Sequence, residues 1–266
     1  MPFVRAGDIT LHYVLEGPAG APVVMLSNSL GTSLEMWEAQ AAALRGQYRV
    51  LRYDTRGHGL SDAPDAGMAG YTMDMLADDA GALAKALGIS RFHFCGISLG
   101  GMAGQRLAAK APALIASLTL CDTAATMVAS VWDERMAAIR KAGTIDVTTA
   151  GTMERWFTKG FCDREAATMA GICNMYRRTP FDGYLGCATA IRNMDLRADG
   201  PKIACPTLII VGEEDPSTPV ASAEALNKSI KGSSLKVIPN AAHISPIEQA
   251  ETVTRAISDF LAAQKG

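Results

Sequence analysis

The sequence lacks the features that mark several classes of protein. No segment approaches the run of about 20 apolar residues that crosses a bilayer, and Met1–Arg5 contains neither the basic stretch nor the apolar run of a signal peptide. The formal net charge is only -2, so neither nucleic acid nor an anionic membrane is expected as a partner. The 6 cysteines are scattered, without a CxxC pair or a metal-ligand spacing. These absences predict a cytoplasmic protein that has no disulfide and binds no metal.

The residues that are present favour a folded, globular chain. Hydrophobic residues make up 48% and charged residues 20% of the 266 positions, a composition that supports a sizeable core and argues against disorder. This length suits one large α/β domain or two small ones. The chain contains no internal repeat and no low-complexity segment.

Short apolar runs alternate with helical patterns in the first half of the chain. Five such runs predict strands there, at Ile9–Leu15, Pro22–Ser27, Tyr48–Tyr53, Phe92–Gly96 and Ala116–Asp122, and two more lie near the C-terminal end, at Pro206–Gly212 and Leu235–Pro239. Three stretches between them predict helices, at Leu34–Arg45, Thr72–Leu87 and Leu99–Ala111. Strands that alternate with helices form a mainly parallel sheet, so the sequence predicts an α/β fold.

The alternation stops after Asp122 and returns near Pro206. Residues 123–197 contain no convincing strand, and helical patterns occupy Val131–Lys141, Met153–Phe161 and Glu165–Arg178. We therefore expect an α/β core formed by residues 1–122 and 198–266, interrupted by a helical insertion at 123–197 that covers the sheet as a cap. The chain should end on one helix that starts at Ser245, with Ser245 as the N-cap and Glu248 as a capping-box partner.

Ser98 is the candidate nucleophile. It lies in the pattern Gly96-x-Ser98-x-Gly100, between a predicted strand and a predicted helix. A serine on such a sharp turn projects from the end of the sheet, and the start of the helix favours negative charge beside it. The alternative is a glycine-rich turn with an incidental serine, but the strand and the helix around it favour the nucleophile.

A base is needed to activate this serine, and the chain has 4 histidines. His12 alternates within a strand and is expected at the surface, whereas His93 precedes the nucleophile in its own strand and is expected to pack in the core or at an edge. His58 belongs to a glycine-rich loop. His243 follows the last predicted strand, and active sites of open α/β sheets collect in such loops. We therefore expect His243 to be the base.

A carboxylate should hold the histidine, and a second group of residues should stabilise the oxyanion. Three acids, Glu213, Glu214 and Asp215, follow the strand at 206–212, and the residues alone do not separate them. For the oxyanion, the best candidates are the backbone N–H groups of Leu99 and Leu30. Ser29, next to Leu30, is a candidate for contact with the substrate.

With these residues identified, the chain resembles the α/β-hydrolase family along its whole length. The resemblance rests on Asp54-x-Arg56-Gly57-x-Gly59-x-Ser61, on Gly212-x-x-Asp215 and on Ala242-His243. It implies a mainly parallel eight-stranded sheet with helices on both faces and a helical cap, and it favours Asp215 as the acid.

Within that family the chain is similar to the 3-oxoadipate enol-lactonases. The segments that carry this similarity include 27–32, 95–102 and the cap segments Arg155–Thr158 and Gly183–Arg197. It differs from them at Leu99, where methionine is common, and at Ala250, where proline is expected. The resemblance implies hydrolysis of 3-oxoadipate enol-lactone through an acyl-enzyme in the beta-ketoadipate pathway of aromatic catabolism, with no cofactor.

This substrate carries a free carboxylate, so its pocket should contain a cation or several hydrogen-bond donors. Arg135, Arg155 and Arg192 of the cap are candidates, although a surface salt bridge explains each one equally well. Trp132 and Trp156 are candidates for an apolar wall, with ordinary cap packing as the alternative. Two other functions stay open: a general esterase for small acyclic esters, and a slow-turnover receptor for a small molecule. The only expected partner is the small-molecule substrate, and the sequence predicts no oligomeric state.

Overall fold

The computed structural model describes residues 1–65, 67 and 70–264. In this part of the chain the strands are β1 (Phe3–Ala6), β2 (Ile9–Glu16), β3 (Val23–Ser27), β4 (Arg49–Tyr53), β5 (Phe92–Ile97), β6 (Ile115–Cys121), β7 (Thr207–Gly212) and β8 (Ser234–Ile238). They form one 8-stranded sheet in the order β1-β2-β4-β3-β5-β6-β7-β8. The pairs β1–β2 and β2–β4 are antiparallel and the remaining pairs are parallel. The predicted mainly parallel sheet is confirmed.

The central strands are buried on both faces. Every residue of β3, β5 and β7 is buried, as expected for a parallel sheet covered by helices on each side. Successive residues of β3 point into separate cores, Val24 and Leu26 into one and Val23 and Met25 into the other. The seven predicted strands agree with the structure to within about a residue at each end. β1 was missed because it is an edge strand of 4 residues in which only Ala6 is buried.

Helices cover both faces of the sheet. They are α1 (Glu38–Leu44), α2 (Met73–Ala86), α3 (Leu99–Lys110), α4 (Ala129–Ala142), α5 (Thr149–Trp156), α6 (Lys159–Arg164), α7 (Ala166–Arg177), α8 (Phe181–Asn193), α9 (Val220–Ser229), α10 (Ser245–Glu248) and α11 (Ala250–Ala262). Buried residues of α1 and α11 join one core, whereas those of α9 join the other. Neither α8 nor α9 was predicted from the sequence.

Three helix predictions were wrong in detail. The single last helix predicted from Ser245 is divided at Gln249 into α10 and α11. The stretch Leu34–Arg45 begins with a 3-10 turn at Leu34–Trp37 before α1 starts. The stretch Met153–Phe161 contains a break, because Phe157 is extended and Thr158 caps a new helix by accepting a hydrogen bond from the N–H of Phe161.

The chain between β6 and β7 contains only helices, α4 to α8, among the described residues. They lie within residues 123–197, the range in which the cap is expected. Where this region leaves the sheet its two connections run side by side, since Thr126 and Asp195 form an isolated antiparallel bridge and the N–H of Leu196 donates to the carbonyl of Ala125 at 2.8 Å.

Candidate active site

Ser98 occupies a strained turn between β5 and α3. Its backbone has φ 51° and ψ -114°, a region that non-glycine residues rarely adopt. The flanking glycines allow the turn to close. A Cβ at Gly96 would lie 2.4 Å from the carbonyl carbon and oxygen of Gly100, and one at Gly100 would lie 2.4 Å from the carbonyl oxygen of Ser27. The GxSxG pattern is therefore required by close backbone contacts as well as by the conformation of the serine.

His243 links Ser98 to Asp215. Its Nε2 lies 3.0 Å from the Ser98 Oγ, and its Nδ1 lies 2.8 Å from the Asp215 Oδ2. All three side chains are buried. In this arrangement the imidazole can take the proton of the serine hydroxyl, while the carboxylate accepts the Nδ1–H and fixes the tautomer.

Of the three acids that the sequence left open, only Asp215 lies beside His243. Asp215 also accepts hydrogen bonds from the backbone N–H groups of Ser217 and Thr218 and from the Thr218 hydroxyl. Glu213 and Glu214 are both exposed and make no contact with the histidine. The turn that follows β7 thus holds the buried Asp215 side chain against His243.

Asp215 and His243 each favour the charged form of the other. Burial raises the pKa of Asp215. The charge and hydrogen bond of His243 and the hydrogen bonds from Thr218 lower it by more than burial raises it, so the pKa lies below its ordinary value. Burial lowers the pKa of His243, and the charge and hydrogen bond of Asp215 more than offset this, so the pKa lies above its ordinary value. A more basic imidazole is a better acceptor for the serine proton.

Two other histidines have structural contacts away from Ser98. The surface prediction for His12 was wrong, because the side chain is buried and its Nδ1 lies 2.7 Å from the Asp54 carboxylate. The loop after β4 covers His12, because the hydroxyl of Ser61 in that loop accepts a hydrogen bond from the backbone N–H of His12. His93 is buried as predicted, with its Nδ1 2.8 Å from the Ser117 hydroxyl.

Two backbone N–H groups close to Ser98 have no acceptor among the described residues. Among the described residues, no hydrogen-bond acceptor takes the N–H of Leu30 or of Leu99. The loop that carries Leu30 is joined directly to the start of α3, because the N–H of Gly100 donates to the carbonyl of Asn28 at 2.9 Å. Both groups therefore lie near Ser98 on a connected backbone, as the donors of an oxyanion hole must.

A cavity of about 430 Å³ opens above the serine, a volume in the range of small-molecule sites. It is lined from the core side by Ser98, His243, Ser29 and Leu30. The helical region contributes aromatic and positively charged side chains to its wall, those of Trp132, Arg135, Arg155, Trp156 and Tyr184. Tyr184 was missed by sequence reasoning, since it lies on α8, where Gly183 and Gly186 obscure the helical pattern.

Arg192 does not belong to this cavity. Its guanidinium pairs with the Asp133 carboxylate at the protein surface, at 2.9 and 3.0 Å, and it is absent from the cavity wall. The hypothesis that Arg192 holds the substrate is therefore withdrawn, and the alternative of a surface salt bridge accounts for it.

Arg135 and Arg155 place two positive charges in the cavity wall. Among the described residues, no carboxylate forms an ion pair with either of them. Arg135 donates to the hydroxyls of Thr152 and Tyr176, and its buried Nε has no partner. Burial and the nearby charge of Arg135 lower the pKa of Arg155. An anion bound between them would relieve this repulsion.

The side chains of two buried acidic residues hold the segment after His243 in place. The Ser245 hydroxyl donates to Asp122, whose second oxygen accepts from the N–H of Gly212 at 2.8 Å. Glu248 accepts from the N–H of Ala242 and from the N–H of Thr158 at the helix break. The capping-box prediction was therefore wrong: these side chains tie the histidine loop to β7 and to the helical region.

Burial, together with the charge of Asp215, raises the pKa of Asp122 to about 8.

The described residues contain no helix with the length and apolar character to cross a membrane. They contain no group of three or more His, Cys, Asp or Glu side chains placed to hold a metal ion. All 6 cysteines are free thiols.

Known proteins share this architecture. Residues 22–143 match the family model of the α/β hydrolase fold, and residues 176–265 match that of the TAP-like proteins. The 3-oxoadipate enol-lactonase 2 of Acinetobacter baylyi is 37% identical over 256 residues, which cover 96% of this chain and 94% of that protein. The chain belongs to the α/β-hydrolase family. It is a hydrolase, and the resemblance to the enol-lactonases is confirmed.

Two solved structures superpose on this hydrolase along nearly its full length. The enol-lactonase from Burkholderia xenovorans LB400 is 39% identical with a TM-score of 0.94, covering 98% of this chain and 100% of the other. A hydrolase from Pseudomonas aeruginosa PA01 is 40% identical with a TM-score of 0.93, covering 98% and 97%. The similarity therefore includes the helical region above the sheet as well as the sheet itself.

Proposed function

We propose that this hydrolase opens 3-oxoadipate enol-lactone to 3-oxoadipate in the beta-ketoadipate pathway of aromatic catabolism. One observation carries the proposal: a single cavity of about 430 Å³ joins a serine–histidine–aspartate chain to two arginines that have no carboxylate partner. The first part suits a carboxylic ester, and the second suits a substrate with a free carboxylate. The lactone has both groups, and the similarity to the enol-lactonases supports the same substrate.

In the first half of the proposed reaction, Ser98 forms an acyl-enzyme. His243 takes the Oγ proton as Oγ bonds to the lactone carbonyl carbon, and the N–H groups of Leu30 and Leu99 stabilise the oxyanion. Collapse of the tetrahedral intermediate breaks the ring C–O bond. The leaving enolate oxygen receives the proton from His243, and the resulting enol tautomerises to the ketone.

In the second half, water releases the product. His243, neutral again, takes a proton from a water molecule that attacks the acyl carbon, and then returns it to Ser98 as the C–O bond to the serine breaks. Asp215 stabilises the imidazolium in both halves. Every step uses protons supplied by water or by these side chains, so the proposed reaction requires no cofactor.

Residues 123–197 act in this proposal as the cap that selects the substrate. Arg135 and Arg155 hold the free carboxylate, Trp132 and Trp156 form the apolar wall, and Ser29 contacts the substrate from the core. We also propose a cytoplasmic location, for which the free cysteines are suited because the cytosol keeps thiols reduced.

Substrate comparison tests the proposal. The purified protein is assayed with the enol-lactone and with p-nitrophenyl acetate, a neutral acyclic ester of similar size. The proposal predicts a kcat/KM for the lactone at least about 100-fold higher, since two charged contacts are used only by the lactone. Equal values for the two substrates would favour the general esterase, and binding of the lactone without turnover would favour the receptor.

A further inference from the structure

The cavity that contains Ser98 is open to solvent at one end. The exposed residues of its wall are uncharged and mostly apolar, and they form the mouth of the cavity: Thr126, Val128, Val131, Pro216 and Pro219. Val128 and Val131 are 66% and 59% exposed. Apolar side chains gathered at an opening are typical of a ligand site, because an apolar group bound there removes them from water.

The two arginines lie at the inner end of the same cavity. Val128 is the N-cap of α4, and Val131 and Arg135 follow it at the spacing that places side chains on one helix face. A rise of about 1.5 Å per residue puts Arg135 about 10 Å along the helix from Val128. There its guanidinium donates to the hydroxyls of Thr152 and Tyr176. One wall of the cavity thus runs from an exposed apolar opening to a cation inside.

Arg155 belongs to the inner end as well, on a second helix. It lies in the last turn of α5 beside Trp156, whose carbonyl accepts from the N–H of Ile244 at 3.0 Å. Ile244 is next to His243, so the turn that carries Arg155 is fixed to the histidine loop. The buried side chains of Trp156 and Tyr184 complete this part of the wall. The cavity therefore combines cations near the catalytic histidine with an apolar mouth.

The proposed reaction already includes the hydrolysis of an open-chain ester. When the lactone ring opens, its leaving oxygen stays on the acyl chain, so Ser98 carries a dicarboxylic acid that is esterified at one end and free at the other. This acyl-enzyme is a half-ester in which serine is the alcohol. A half-ester of an external alcohol gives an acyl-enzyme of the same kind, and the second half of the reaction is unchanged. Only the first half differs, because an external alcohol needs space of its own.

The mouth supplies this space next to His243. Pro216 and Pro219 belong to the turn that holds the catalytic acid, and between them Thr218 places its hydroxyl 3.4 Å from the His243 Nδ1. His243 protonates the leaving oxygen and afterwards activates the attacking water, so both lie on the same side of the acyl carbon. Water reaches that side from solvent, and the mouth is the exposed part of the wall. A departing alcohol therefore extends from His243 toward the mouth.

We propose that this hydrolase also cleaves half-esters of dicarboxylic acids whose alcohol is apolar. The free carboxylate binds the two arginines, and the alkyl group of the alcohol contacts the mouth. Ser98 Oγ bonds to the ester carbonyl carbon, the C–O bond to the alcohol breaks, and the alcohol leaves with the proton that His243 took from Ser98. A water molecule then adds its hydroxyl to the acyl carbon and returns its other proton to Ser98 through His243. The inference rests on the roles that the proposed function gives to Ser98 and the arginines.

A matched set of esters tests both ends of the cavity. Monobutyl adipate has a free carboxylate and an apolar alcohol, monomethyl adipate has a smaller alcohol, and butyl hexanoate has an acyl chain of the same length without the carboxylate. Hydrolysis is followed by titration of the released acid at constant pH, with Ser98→Ala as the background. The variants are Arg155→Gln at the inner end and Val131→Ser at the mouth. Val147→Ser is the control, since Val147 is 55% exposed and lies outside the cavity wall.

The proposal predicts two separate advantages for monobutyl adipate. Its kcat/KM should exceed that of butyl hexanoate at least about 10-fold, since only the half-ester has a carboxylate to bind. It should exceed that of monomethyl adipate at least about fivefold, because the longer alkyl group leaves water in the mouth. Arg155→Gln should remove most of the first advantage, and Val131→Ser should reduce the second at least about twofold. Val147→Ser should retain both.

The proposal is overturned if monobutyl adipate is cleaved no faster than butyl hexanoate, or no faster than monomethyl adipate. It is overturned as well if Val131→Ser and Val147→Ser change the ratio of butyl to methyl ester hydrolysis equally. Lactone turnover without any advantage for the half-ester would refute this inference alone. Half-ester cleavage without lactone turnover would leave the inference intact and refute the proposed function instead.

Discussion

Replacing Arg155 by glutamine removes one of the two guanidinium groups in the cavity wall while disturbing little else. Its hydrogen bond to the Thr152 hydroxyl is long, at 3.3 Å, whereas Arg135 also stacks on the rings of Trp132 and Tyr184. A hydrogen bond to a charged group contributes about 1.5–3 kcal/mol. At about 1.4 kcal/mol for each factor of ten, the loss corresponds to a KM for the lactone that is about 10- to 150-fold higher.

The substitution should act on the carboxylate-bearing substrate alone. The KM for p-nitrophenyl acetate should change by less than about twofold, since a neutral ester has no carboxylate to bind. The melting temperature should not fall, because burial and the charge of Arg135 both disfavour the charged form of Arg155. Arg192→Gln, at a surface ion pair with Asp133, is the matched control and should leave both KM values unchanged.

Steady-state kinetics with both substrates, together with thermal unfolding, measure these effects. The reasoning is refuted if Arg155→Gln and Arg135→Gln both leave the KM for the lactone unchanged. It is also refuted if the KM values for the two substrates rise by the same factor, since a general distortion of the cavity would then explain the result.

Three further predictions concern pH and stability. Because His243 must be neutral to act as a base and its pKa is raised, kcat/KM should fall as the pH drops, with a midpoint above about 6.5; a midpoint below that value in a pH profile contradicts the assignment. Gly100→Ala, which brings a Cβ to 2.4 Å from a backbone carbonyl, should lower the free energy of unfolding by about 3 kcal/mol; Gly160→Ala, with nothing within 4 Å, should not, and similar urea midpoints would contradict this. Glu248→Ala leaves buried N–H groups unpaired and should also cost about 3 kcal/mol, whereas the exposed Glu251→Ala should have little effect in the same assay.

The core of the site was predictable because each member lies in a loop with a local signal. Ser98 has glycines at two fixed positions, which the backbone contacts of the turn require. His243 follows a strand and precedes a helix that starts with a serine and a proline. The order of nucleophile, acid and base along the chain then reduced the choices. Only the selection among Glu213, Glu214 and Asp215 needed the family resemblance. In the structure Asp215 is the one that contacts His243, in a turn that closes on Thr218.

Other contacts had no local signal because they join residues far apart in the chain. Glu248 has the spacing of a capping box, yet it accepts hydrogen bonds from Ala242 and from Thr158, 90 residues away. His12 has the alternation of an exposed strand position, but a later loop covers it. His58 stands in a conspicuous motif, and only the fold brings it to Gly31, 27 residues earlier. Such contacts depend on tertiary packing, which no window of sequence contains.

Loss of the ultraviolet absorbance of the enol-lactone, followed with the original protein and with Ser98→Ala, tests the central claim most directly. The proposed mechanism predicts rapid loss with the original protein and a rate lower by at least about 1,000-fold with the variant, since the nucleophile is removed while the fold is kept. Equal rates for the two proteins would contradict the assignment of Ser98 as the nucleophile.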